Sequence, residues 1–216
     1  MRSFEIPDGS ILIDTDSKLS DAVLDAVLAY RDPEGRSVAG IFRYVSLYQI
    51  DFARDIDPLE AARITSRGLA LGLIQHCLAA PPGKSGWTPS GQLGAAQGVT
   101  AARHANLVGY PTDAHLGFDD EDVEGGDIET HIAQWVEKVA PWPPLLYTGF
   151  APGLSPEGLW LLPTIHLYWG AAGNWGPAVC GVACRQRYPS ITIGGVSFDW
   201  NLASADAKGR RIRMAA

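Results

Sequence analysis

"AHLGFDDEDVEGG", residues 114–126, places four acids side by side directly behind an apolar run. Alternation sorts the side chains of this stretch. Leu116 and Phe118 fall on one face, while Gly117, Asp119 and Glu121 fall on the other. The pattern predicts a strand that packs one face under helices and delivers two carboxylates to the opposite side at its end. Asp120 belongs with the apolar face and is expected at an outer rim or in the loop.

The same texture recurs along the chain. Short apolar, β-branched runs at 10–16, 37–46, 69–77, 144–150, 164–170, 181–188 and 195–202 join 114–121 to make eight predicted strands. Helical stretches separate the first five. Leu19 to Tyr30 repeats apolar residues at helical spacing. Asp57-Pro58 supplies an N-cap and a proline at the first helical position, and Gly68 ends that helix. The small-residue run 90–109 closes at Gly109, and 127–141 starts at Asp127 and stops at Pro141. The later helices are reduced, to short pieces at 155–163 and 173–180. Regular βαβ alternation argues for parallel strands, and eight strands close a ring, so the expected fold is a single, shortened (β/α)8 TIM-type barrel. An open doubly wound sheet needs a glycine-rich first βα turn, and "DTDSKLSD" (14–21) has no glycine. No linker or repeat divides the chain, so 1–216 reads as one domain, with 208–216 expected as a flexible tail. The turn-rich insertion 79–91 follows the third strand and belongs on the face where barrel loops gather.

Composition removes several function classes. The formal charge is −7, and the only basic cluster is "KGRRIRM" (208–214), which argues against a nucleic-acid surface. Cys77, Cys180 and Cys184 make no disulfide framework and are expected as buried free thiols. No apolar run approaches a membrane span, and the N-terminus lacks a signal-peptide core, so synthesis in the cytoplasm is expected. His76, His104, His115, His131 and His166 show no metal-ligand spacing. His115 and His166 are expected as satisfied core residues. No G-x-S-x-G elbow occurs, and "GAAGNWG" (170–176), with Trp175, reads as a loop. Neither a cofactor nor a metal is implied, and no feature specifies an oligomeric state.

Barrel enzymes gather their chemistry at the C-terminal ends of the strands. Three strands here end in inward-facing acids: the first in Asp14 and Asp16, the fourth in Asp119 and Glu121, the eighth in Asp199 followed by Asn201. The first and eighth strands of a closed barrel are neighbours, so Asp14 and Asp199 are expected to lie close together. Like charges confined together raise at least one member's pKa, which leaves a protonated acid beside ionised partners, the arrangement glycoside hydrolysis requires. The same oxygens would also suit a hard cation.

These motifs, in their order and spacing, resemble the family 25 lysozymes. Closer still is a related glycoside-hydrolase-like domain of bacterial and phage proteins. The resemblance runs through Asp14, "FRYV" (42–45), "LIQH" (73–76), "AARHANLVGYP" (101–111), "GFDDED" (117–122) and "IGGVSFDWN" (193–201), almost the whole chain. It implies a glycosidase acting on a bacterial cell-wall polysaccharide, peptidoglycan as lysozymes cleave it, with Glu121 as general acid and Asp119 supporting it. Asp14 and Asp199 would stabilise the positive ring or activate water. Either Asp14 or Asp16 answers to the family's first-strand acid, because this strand reads "IDTDSKLSD". Asp16, Tyr44, Gln75, Tyr147, Trp169, Gln186 and Asn201 would make the sugar-binding walls, Asn201 also holding a carboxylate. Release to the wall would need a holin or a secretion system. The alternative left open is a non-catalytic carbohydrate-binding, phage or secretion structural module on the same barrel.

Overall fold

The computed structural model describes residues 1–76, 78, 82, 84–149, 153–154, 158, 162, 164–171 and 182–216. The short helix expected at 173–180, most of that at 155–163, and Cys77, Trp175 and Cys180 lie outside the described residues.

The elements run β1 (Ser3–Glu5), β2 (Ile11–Thr15), α1 (Asp21–Ala29), β3 (Val38–Val45), α2 (Pro58–Ser66) and β4 (Ala70–Gln75). They continue with α3 (Gly91–Leu107), β5 (Leu116–Asp119), α4 (Ile128–Val139), β6 (Pro144–Thr148) and β7 (Leu167–Gly170). The chain finishes with β8 (Val182–Ile193), β9 (Val196–Ala203) and β10 (Arg213–Ala215). Strands β2 to β9 close a ring, because β4 pairs with both β3 and β5 while β2 pairs with β9. The expected barrel is present, with one difference in direction. β2 to β8 are parallel, but β9 runs antiparallel to both its neighbours. The cause is local: Ile193 and Val196 pair across Gly194-Gly195, whose φ values of +60° and +82° make a two-residue turn that only glycine enters without strain. A turn this short returns the chain beside itself and leaves no room for a crossover helix.

Alternation divides the core in two. Ile11, Ile13, Leu71, Leu73, Leu116 and Phe118 point outward and meet the helices. Leu12, Phe42, Ile74, Leu145, Leu167 and Trp169 point inward and fill the barrel. Side-chain caps start α1 to α4, from Ser20, Asp57, Ser90 and Asp127. The small-residue texture of α3 has a packing reason. A Cβ on Gly94 would lie 2.1 Å from the His131 carbonyl oxygen, and one on Gly98 would lie 2.7 Å from that of Trp135. Bare backbone on α3 lets α4 come within contact, and that closeness offsets glycine's poor helix propensity.

The C-terminal segment corrects the expectation of a flexible tail. Ile212, Met214 and Ala215 are buried, β10 pairs antiparallel with β1 and touches β4 at Leu71, and Arg2 and Ala216 exchange backbone hydrogen bonds. Its apolar residues alternate with Arg211 and Arg213, whose charges remain at the surface in pairs with Asp8 and Asp113. The run read as a basic cluster therefore leads into a half-buried strand at the base of the barrel.

Candidate active site

The ends of β2 and β5 and the middle of the reversed β9 deliver the predicted acids to one mouth. Asp14 and Asp199 stand directly opposite each other across the β2–β9 pair, as expected. Asp119 is in register with Tyr147 of β6. The phenol of Tyr147 is pushed far above its ordinary value, first by burial and then by Glu121, Asp119, Asp14 and Asp199 together. One side chain thus feels all four candidate carboxylates.

Two hydrogen-bond chains run beneath the acids. The Trp169 indole N–H donates to Asn201 Oδ1 (2.7 Å), and Asn201 Nδ2–H donates to Asp14 Oδ2 (2.7 Å). The Tyr147 hydroxyl donates to Gln186 Oε1 (2.9 Å), Gln186 Nε2–H donates to Asp199 Oδ2 (2.7 Å), and the Ser190 hydroxyl donates to Asp199 Oδ1. Burial dominates Asp14 and pushes it up to about 8 against the lowering effect of Asn201, with Asp199 and Glu121 adding to the rise. Asp14 therefore holds its proton at neutral pH.

This arrangement corrects the reading of four wall residues. Tyr147, Trp169, Gln186 and Asn201 are only 7, 1, 8 and 0% exposed, too enclosed to offer a sugar a face. Their polar atoms are spent on the acids and on one another, because buried donors and acceptors must find partners. They are supports, and the role foreseen for Asn201 as a carboxylate holder is the one its geometry fits. Gln75 lies elsewhere. It shares the outward face of β4 with Leu73, donates to the carbonyls of Ser46 (2.7 Å) and Gln97 (3.0 Å), and accepts from the Trp135 indole (2.7 Å). Its amide ties the β3–α2 loop to α3 and α4, away from the mouth. The next residue, His76, points inward instead and stacks on Tyr44 with ring centres 4.0 Å apart. His76 was missed as a mouth residue, although alternation with inward Ile74 marks it.

Around Asp14 and Asp199 opens a cavity of about 310 Å³ whose walls include Asp16, Tyr44, Arg54 and His76. Asp16 and Tyr44 are thus at the mouth, as foreseen. The strand β3 serves both sides of the wall: Tyr44 faces in, while Arg43 faces out, fully buried, and pairs with Glu60 of α2 (2.8 Å). Arg43 also donates to the Thr15 carbonyl, which pins the mouth end of β2 between Asp14 and Asp16.

The four adjacent acids of the opening stretch take four different environments. Asp119 accepts from the Glu121 backbone N–H (3.1 Å) and is buried. Glu121 is half-buried at the rim, and its Oε1 lies so close above Gly149 that a Cβ there would stand 3.0 Å away. Its carbonyl accepts from the Trp87 indole (2.7 Å), and the Trp87 backbone bridges to Val123. The insertion thus straps the acidic loop, with Glu124 accepting from the backbone N–H groups of Ser85 and Gly86. Asp122 is exposed and takes a left-handed φ of +56°. Asp120 departs from the outer-rim expectation. It lies on the outward face as alternation dictates, but wholly enclosed, and burial, opposed by Thr148 and reinforced by Asp119 and Glu121, sets it well above the usual carboxylate range. Its oxygens lie near Thr148 without forming a proper hydrogen bond, so an ionised form would be uncompensated.

The remaining histidines are structural. His115 accepts from the Arg213 backbone N–H (2.9 Å) and bonds His166 through its other nitrogen (2.8 Å). Burial, then His166, pushes it down to about 3. Cys184 is a buried free thiol. No group of three or more His, Cys, Asp or Glu among the described residues could hold a metal ion, and no described helix is long and apolar enough to cross a membrane.

Comparisons with known proteins find relatives of this barrel among glycoside-hydrolase-like folds. Residues 35–141, from just before β3 through α4, match the family model of the Rv2525c-like, glycoside hydrolase-like domain. The chain is similar to the Tat-secreted protein Rv2525c of Mycobacterium tuberculosis, solved with L-tartrate, at 16% identity and a TM-score of 0.70, over 91% of this chain and 96% of that one. It is similar to GHIP, a glycosyl hydrolase 25 of Streptococcus pneumoniae, at 13% identity and a TM-score of 0.58, over 90% and 87%. It also resembles the modular autolysin LytC of Streptococcus pneumoniae, solved with a synthetic peptidoglycan ligand, at 12% identity and a TM-score of 0.63, over 90% of this chain and 46% of that one. At these identities the likeness is one of fold. No curated protein matches the sequence. The resemblance read from the motifs, to a glycoside-hydrolase-like domain related to family 25, is thus met by the family match and by the fold.

Proposed function

We propose that this protein is a glycosidase that cleaves a bacterial cell-wall polysaccharide, with peptidoglycan as the substrate class. The observation that carries the reading is the convergence of Asp14, Asp119, Glu121 and Asp199 from three strands around Tyr147. Glu121 is the proton donor to the leaving glycosidic oxygen, since it stands at the rim, where a sugar oxygen can reach it. Asp119 orients the loop that carries it, through the Glu121 backbone N–H. As the glycosidic bond breaks, positive charge develops on the ring, and Asp199 faces it while held by Gln186 and Ser190. Asp14 stays neutral, which spares the mouth one negative charge, and its proton is available to a substrate acetamido oxygen. The stacked Tyr44 and His76 rings offer the apolar face that a pyranose covers. Peptidoglycan lies outside the cytoplasmic membrane, so the chain reaches it by export or release, and Rv2525c, its relative in fold, is Tat-secreted.

The test is clearing of purified peptidoglycan together with the appearance of new reducing ends. Glu121→Gln should lower both at least about a hundredfold, the scale of a lost general acid, with the melting temperature unchanged. Full activity in that variant removes Glu121 from the chemistry. A second reading, a saccharide-binding barrel without turnover, draws support from the internal bonding of Asp14 and Asp199. It predicts ligand binding by the native protein with no new reducing ends from any wall type.

A further inference from the structure

Attack of water on a sugar ring needs a proton acceptor, and the carboxylates of the mouth leave that role open. Asp14 holds its proton, and Asp119 orients the loop of Glu121. Both oxygens of Asp199 accept hydrogen bonds, from Gln186 and Ser190, while Asp16 is exposed at the rim beside the Ser17 hydroxyl. A different group meets the mouth from β4. His76 follows Gln75, which pairs with Phe118, so His76 stands next to Asp119 where the two strands end. It lines the mouth and also a second cavity, of about 520 Å³, under the loop after β3. The charged groups around it are Asp14, Asp16, Asp199 and Arg54 on the mouth side and Asp51 and Asp55 on the loop side.

Two contacts fix the imidazole. One ring face stacks on Tyr44, with the planes 13° apart, and Nε2 stands 3.4 Å from Asp55 Oδ1. Asp55 is buried, and its other oxygen accepts from the Ser46 hydroxyl. Burial works to raise Asp55, but hydrogen bonding to His76 and Ser46 outweighs it and holds the carboxyl below its ordinary range, so it is ionised. Neither His76 Nε2 nor Asp55 Oδ1 has a closer partner. In the neutral ring the proton therefore belongs on Nε2, facing Oδ1, and the lone pair on Nδ1. Nδ1 has no partner among the described residues and, unlike Nε2, is not enclosed. A carboxylate behind an imidazole selects its tautomer and stabilises the charged ring formed when the far nitrogen takes a proton.

We infer that His76 is the general base that activates the attacking water, with Asp55 as the positioning residue behind it. The water oxygen bonds to the anomeric carbon while its proton passes to Nδ1. The glycosidic C–O bond breaks, and the leaving oxygen keeps the electron pair and takes the proton of Glu121. His76 then gives its proton to solvent and Glu121 regains one. Because acid and base are different residues, the displacement is single and the anomeric configuration inverts. The inference rests on the glycosidase reading and adds to it a residue outside the carboxylate set.

The experiment follows reducing ends released from soluble peptidoglycan chains by the native protein, His76→Ala and His76→Phe, with and without sodium azide. Both variants should lose at least about a hundredfold in kcat, the scale of a lost general base. Phenylalanine keeps a ring on Tyr44, so its melting temperature and KM should stay native. Azide needs no base, so it should restore turnover in His76→Ala, where the space is open, and leave a glycosyl azide visible by mass spectrometry. His76→Phe should gain nothing from it. Asp55→Asn, whose amide would leave the imidazole proton on Nδ1, should lower kcat with KM unchanged. Full activity in His76→Phe, which a purely stacking role predicts, overturns the base and leaves the glycosidase reading intact. So does absence of azide rescue, or retention of configuration in the NMR spectrum of the first-formed product. Native kcat in Asp55→Asn overturns the dyad. No reducing ends from the native protein on any wall type overturns the glycosidase reading and the inference with it.

Discussion

Replacing Asp14 by Asn should make the protein more stable at neutral pH and less active. In the folded chain Asp14 is pushed up to about 8 from an ordinary 3.8, chiefly by burial. Below 3.8 the folded and unfolded chains both carry the proton, and the site costs nothing. Between 3.8 and 8 the unfolded chain ionises while the folded chain keeps its proton, so stability is lost as pH rises, by about 1.4 kcal/mol per pH unit. From pH 5 to pH 7 the loss is about 3 kcal/mol, an upper bound, since water can reach a relaxed site. Asparagine has no proton to lose, and its Oδ1 can still accept from Asn201 Nδ2–H, so the lower chain of hydrogen bonds survives. Other titrating groups, His115 among them, are common to both proteins and cancel in the difference. Urea unfolding at pH 5, 6 and 7 is the assay. The native midpoint should fall relative to that of Asp14→Asn as pH rises, with matching m-values. Parallel pH profiles for the two proteins would refute the argument that Asp14 is held neutral by burial. A gain in stability together with lost wall cleavage would identify the acid as a functional cost carried by the fold.

Two further outcomes test the supports. Arg43→Met should destabilise by about 3 kcal/mol, because it leaves Glu60 buried with the half-exposed Lys18 and the Leu19 backbone N–H as its partners, and adding Glu60→Met should restore most of that loss in denaturant unfolding. Gln75→Leu strands the Trp135 indole N–H and the Ser46 and Gln97 carbonyls, so it should cost about 2–3 kcal/mol while leaving KM for wall fragments unchanged, where a sugar-contacting glutamine would raise KM.

The barrel was legible because seven of its strands carry a one-in, one-out rhythm on apolar side chains, and the strand ends therefore announced which acids share a mouth. Depth was not legible. Alternation says which face Trp169 or Gln186 occupies, yet it cannot tell a residue at the rim from one a layer below, and those two proved to be supports. Gln75 was a failure of a different kind. Its own strand places it outward with Leu73, and the chemistry of an amide beside a mouth outweighed that register. The reversal of β9 was written in Gly194-Gly195, a two-glycine hairpin signal that a reading built on βα rhythm does not use. β10 escaped because a three-residue strand has no periodicity of its own, and only its pairing with β1 and β4 makes it one. The enclosure of Asp120 is likewise set by tertiary packing beyond the reach of local pattern.

The ribbon of β1 and β10 at the base has a mechanical consequence. Ser3 faces Ala215 and Glu5 faces Arg213, with Arg2 and Ala216 bonded beyond them. A pulling force between residues 2 and 216 would load these hydrogen bonds one after another, as in opening a zipper, and each would yield at low tension. Strands loaded in shear must break several bonds at once. Tension at the ends would thus be released first by peeling Met214 from the base, at the pole opposite the carboxylates, before the ring of β2 to β9 bore any strain. The acidic mouth is mechanically insulated from its own termini.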